Sequence, residues 1–101
     1  MTRIEELLIR DGEGPDASLD VPRAALWWLR QGGLRMGPEW EEAHRLCQTD
    51  EGNPAHDLVH ALAHWIDGDE GNARYWYART GGGRASTIAE EWQRIAAKLS
   101  R

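Results

Sequence analysis

Phenylalanine is absent from this chain, cysteine occurs once and valine twice. Each shortage excludes something. A lone thiol, Cys47, closes no internal disulfide, which agrees with a reducing, cytoplasmic compartment. With so few β-branched residues, and no segment of sustained two-residue alternation, a sheet is not expected. No apolar run approaches the roughly 20 residues that a membrane span needs. The start, Met1 to Glu6, shows no basic stretch followed by an apolar one, so neither a membrane anchor nor a secretory signal is expected. Positive charge is also short. The net charge is −5, and the twelve cations, eleven of them arginine, are scattered along the chain. General binding of DNA or RNA wants a basic stripe, so a nucleic-acid partner is not expected.

What is present is a globular mixture of 41% hydrophobic and 29% charged residues over 101 positions, enough for one domain. Six tryptophans supply the aromatic bulk. An indole buries a large ring but wants a partner for its N–H, so these rings should sit where the core meets polar groups.

Helix signals recur along the chain. Thr2 and Glu5 have capping-box spacing ahead of Ile4, Leu7 and Leu8. Asp11 to Asp16 then breaks regular structure, so residues 1–19 read as a short helix and a flexible loop. The core spans 20–101. Asp20 caps a second helix, with Pro22 in its first turn and Ala25, Leu26, Trp28 and Leu29 facing inward; Trp27 falls off that stripe. Gly37-Pro38 opens a third helix, with Trp40, Ala43, Leu46 and Cys47 inward. Asn53-Pro54 opens a fourth, with Leu58, Leu62, Trp65 and Ile66. Asp69 caps a fifth carrying Ala73, Trp76, Tyr77 and Thr80. Thr87 and Glu90 form a capping box on the last, with Ile88, Trp92, Ile95, Ala96 and Leu99. The pattern predicts an all-α bundle of five or six helices. Its short links should pack neighbours as antiparallel hairpins.

The stretch from Gly68 to Arg79, with Ala73 set before Tyr75, Trp76 and Tyr77, resembles the helical hairpins of Sel1 and tetratricopeptide repeats. Leu26 to Arg79 is similar to a group of small bacterial proteins. These share a histidine-bearing helix, then Gly-Asp, then Asn-Ala-x-Tyr-Trp-Tyr. No period of roughly 34 residues recurs. The resemblance implies hairpin packing and an interaction module that binds another protein without catalytic activity.

Two clusters could carry chemistry. His56, His60 and His64 lie four apart, a narrow stripe on one helix face. Imidazoles at i and i+4 can chelate one transition metal. All three cannot do so together, because His56 and His64 are about 12 Å apart along the axis. A site would use one adjacent pair plus His44 or Asp67, and would suit zinc or nickel better than a hard, oxygen-seeking ion. The stripe lies nearly opposite the apolar one, so a solvated or interhelical polar face explains the same residues. His56-Asp57-Leu58-Val59-His60 falls one methylene short of the zinc-protease pattern HExxH, and Asp57 would reach a bound water poorly. The second cluster is Arg74, Tyr75 and Arg79, residue types enriched in binding hot spots. Trp76 and Tyr77 between them belong to the inward stripe. No other grouping has the makings of a catalytic constellation.

Overall fold

The computed structural model describes residues 3–101. Six α-helices follow one another: α1 Ile4–Leu8, α2 Val21–Gln31, α3 Pro38–Cys47, α4 Pro54–Ile66, α5 Glu70–Arg79 and α6 Ile88–Leu99. A 3₁₀ turn, Gln48–Asp50, extends α3, and no strand occurs among the described residues. Four N-termini are closed by the expected side chains. Asp20 accepts from the Arg23 N–H, Asn53 from Ala55, Asp69 from Asn72 and Thr87 from Glu90, at 3.1–3.3 Å. Each supplies an acceptor for an amide that the helix cannot pair. At α1 the cap position is Arg3, without a side-chain bond; Thr2 lies outside the described residues.

The helices pair in chain order, α2 on α3 and α4 on α5 most extensively. α4 is the centre of the bundle and touches α2, α3, α5 and α6. Leu58, Val59, Ala61, Leu62 and Ala63 are all buried, and so are His56, Asp57, His60 and His64. A helix buried on every side has no solvated face. The histidine stripe, expected on the polar side, therefore faces other helices instead of water.

Tryptophan N–H groups tie the elements together. Trp40 Nε1 donates to the Ala63 carbonyl at 2.8 Å, joining α3 to α4. Trp92 Nε1 donates to Leu26 at 2.8 Å, joining α6 to α2. Trp27 Nε1 donates to Arg10 at 2.7 Å. This last bond reverses one expectation: Trp27 is the buried member of its pair, at 2% exposure, and Trp28 is only partly buried. The cause is α1, which packs on α2 and covers a second face that a single-stripe reading leaves open. The following loop is tied by Arg30, which donates to the Ile9 carbonyl, and by Ser18 on the Asp16 carboxylate.

One glycine matters for the site. Gly68 ends α4 at φ +81°, where a side chain would be strained. The Asp69 N–H then reaches back to the His64 carbonyl at 3.0 Å. This tight reversal lays α5 directly against α4.

Candidate metal centre

Three imidazoles meet where α3, α4 and α5 converge. α4 supplies His60 and His64, one turn apart, and α3 supplies His44. The ring centroids form a near-equilateral triangle, with sides of 4.9, 4.9 and 5.0 Å. One ligand atom from each ring lies within 4.8 Å of the others. The His60 and His64 Nε2 atoms are only 3.2 Å apart.

Aromatic walls hold this geometry. His44 stacks on Trp40, with centroids 4.8 Å apart, and the Trp40 bond to Ala63 fixes that ring against α4. His60 stacks on Trp76 of α5 at 4.4 Å. His60 and His64 are almost fully buried, and His44 forms the half-buried edge. Beside His44 a cleft opens, lined by Pro38, Glu41, Glu42, Arg45 and Gln48. Of the three histidines, only His44 lines it.

Burial disfavours the charged form of two of the rings. Burial, with the neighbouring His64 and His44, pushes His60 down to about 4. Burial first, and then His64, lowers His44 below the usual histidine range. Carboxylates pull the other way: Asp67 on both rings, and Glu41 and Glu51 on His44. Asp67 is also in contact. Its Oδ2 lies 3.1 Å from His64 Nδ1. A carboxylate is an acceptor, so in the neutral ring this contact assigns the His64 proton to Nδ1 and leaves Nε2 bare toward the triad.

The residues singled out from sequence thus divide. His60, His64 and His44 come together, and Asp67 stands behind His64. His56 is buried too, but belongs to none of these contacts, and its Nδ1 has no hydrogen-bond partner. Asp57 is turned to another task. It accepts from the Gly52 N–H at 3.0 Å, and its other oxygen lies 3.9 Å from Arg79 Nε. The HExxH-like spacing is therefore without the arrangement its chemistry requires. Arg74 and Tyr75 are exposed. Arg79 lies over the Tyr75 and Trp76 rings at 5.7 and 5.8 Å, so part of it roofs the wall behind His60. Cys47 is fully buried, and burial pushes its thiol pKa up, as suits an inert core thiol.

The inward-stripe reading missed Glu91. It is fully buried on α6, and Arg94 grips it with Nε at 2.7 Å and Nη2 at 2.8 Å. The Ala85 N–H adds a third bond at 2.8 Å. The i,i+3 spacing of Glu91 and Arg94 was the available signal. Arg94 also holds the Gly83 carbonyl, and Arg84 pairs with Glu70 while covering Trp65 at 4.2 Å. The glycine-rich link between α5 and α6 is accordingly a pinned connector. No helix among the described residues is long and apolar enough to cross a membrane. Comparison of the chain with protein families, curated proteins and solved structures finds no match.

Proposed function

We propose that this protein binds a divalent transition metal, zinc or nickel in kind, through His44, His60 and His64. The observation that carries the reading is the convergence of three imidazoles, two of them buried and one half-buried, from two helices. Around a tetrahedral metal with bonds of roughly 2.0–2.1 Å, two nitrogens stand about 3.3 Å apart. The His60–His64 separation of 3.2 Å fits that chord. The His44 nitrogen, within 4.8 Å of the other two, would have to move inward to close the third side. Asp67 supports the same reading, because histidine ligands characteristically donate their outer N–H to a carboxylate. Three protein ligands leave a fourth position for water.

The interaction-module reading has less in its favour. Arg79 lies over both the Tyr75 and Trp76 rings and beside Asp57, so part of the Arg74, Tyr75 and Arg79 patch is engaged within the fold.

The test is thermal unfolding with and without zinc, on protein carrying no histidine tag. At a hundredfold excess over Kd, binding adds about 2.7 kcal/mol, or roughly 11–22 °C for a domain of this size. His60→Ala and His44→Ala should each lose most of that shift, and His56→Ala should keep it. A parent without a zinc-dependent shift, or a His44→Ala variant that keeps all of it, contradicts the proposal.

A further inference from the structure

The protons of the triad can be followed ring by ring. A neutral imidazole carries one N–H and one bare nitrogen. In His64 the N–H is Nδ1, given to Asp67 at 3.1 Å. Its bare Nε2 lies 3.2 Å from His60 Nε2. Two bare nitrogens at that distance repel, so in the metal-free protein the His60 proton belongs on Nε2. His60 Nδ1 is then the bare nitrogen, and it is buried without a hydrogen-bond partner. The metal-free arrangement thus leaves one buried acceptor unsatisfied, a state that costs roughly what a lost hydrogen bond does.

A metal reverses this pattern. It needs lone pairs from both Nε2 atoms, so the His60 proton must move to Nδ1. The carboxylate near this nitrogen is Glu51, whose Oε2 lies 4.0 Å from Nδ1. Glu51 sits in the turn just before α4, and its side chain is 49% exposed, so it has room to close the remaining ångström. We infer that metal binding switches His60 from the Nε2–H to the Nδ1–H tautomer, and that Glu51 is the positioning residue that accepts this hydrogen. The inference rests on the metal reading above. It makes the two buried ligands alike: each ends with a carboxylate behind its outer nitrogen. For His64 that contact exists beforehand. For His60 it forms only with the metal, and satisfies the nitrogen that was left without a partner.

The experiment uses protein labelled with ¹⁵N-histidine and zinc ion alone as probe. Nitrogen shifts read the tautomer of His60 directly, and calorimetry reads affinity. The expected result is Nε2–H without zinc and Nδ1–H with it. Glu51→Ala should weaken zinc roughly ten- to a hundredfold, as loss of such a supporting carboxylate does. Glu51→Gln, whose amide oxygen can accept the same hydrogen bond, should retain more affinity than Glu51→Ala. Glu51 is exposed in a turn, so these variants should fold as the parent does. If zinc binds but His60 keeps Nε2–H, or if Glu51→Ala binds as tightly as the parent, the inference is overturned while the metal site stands. If the parent takes up no zinc, the metal reading fails, and the inference with it.

Discussion

On α6 the fully buried Glu91 carboxylate has a donor on each oxygen, from Arg94 on both and from Ala85 on one. On α4 two buried imidazoles face each other at 3.2 Å, and one of them has a nitrogen without a partner. Both clusters are polar groups placed in one small core, where an unpaired donor or acceptor is costly. The first is complete within the chain. The second leaves His60 Nδ1 without a partner inside the chain. On the metal proposal, that difference separates a polar cluster that holds the fold from one that the fold holds in readiness for a ligand.

The contrast can be broken by mutation. Removing Arg94 strands a buried charge, so Arg94→Ala should cost about 3 kcal/mol or more in urea unfolding. His60→Leu should cost less in metal-free protein. It deletes the unsatisfied Nδ1 along with the ring but also takes the donor from His64 Nε2, so the loss should be about 1–2 kcal/mol, smaller than for Arg94→Ala. Equal large losses in both variants would erase the distinction.

The pH dependence separates the clusters next. His60 titrates near 6.5 when unfolded and near 4 when folded. The unfolded chain therefore takes up its proton first. Stability is lost as pH falls from about 6.5 toward 4, by up to about 3 kcal/mol at roughly 1.36 kcal/mol per unit. Burial alone would raise Glu91, but Arg94 and the Ala85 N–H outweigh it and hold the carboxyl below its ordinary range. Its contribution is lost only as pH falls below about 4.3, the usual glutamate value. Unfolding curves of metal-free protein at stepped pH should show the first loss in the parent and a smaller one in His60→Leu. Identical profiles would remove the histidines from the account. The lowered values of His60 and His44 also move proton competition for a metal below pH 6.5, where free histidines would place it.

A smaller effect sharpens the comparison. Trp40→Phe keeps a ring beside His44 but deletes the N–H bonded to Ala63. It should cost roughly 1–2 kcal/mol. It should also loosen zinc binding, because His44 loses the anchored surface it stacks on. Unchanged zinc affinity would show that His44 is placed by other means.

Much of the fold was legible. Asp20, Asn53, Asp69 and Thr87 announce their helices by hydrogen-bonding chemistry that is local to a few residues. Burial on more than one face was not legible. Trp27 is buried because α1 folds over α2, and the histidines are buried because α4 is enclosed by its neighbours. Both are tertiary facts without a trace in one helix's periodicity. Of the candidate site, the four-residue spacing gave the His60–His64 pair, and His44 and Asp67 stood among the candidates to complete it. Choosing His60–His64 over His56–His60 required knowing where α3 crosses α4. Glu51 was invisible for the same reason, since nothing in the order of residues places that turn beside the outer nitrogen of His60.

The most direct measurement is the metal content of tag-free protein after exposure to zinc and exhaustive dialysis against metal-free buffer, for the parent and for His44→Ala. The account predicts one equivalent of zinc per chain in the parent and a large loss in the variant. Parent protein without zinc, or a variant that retains a full equivalent, would contradict it.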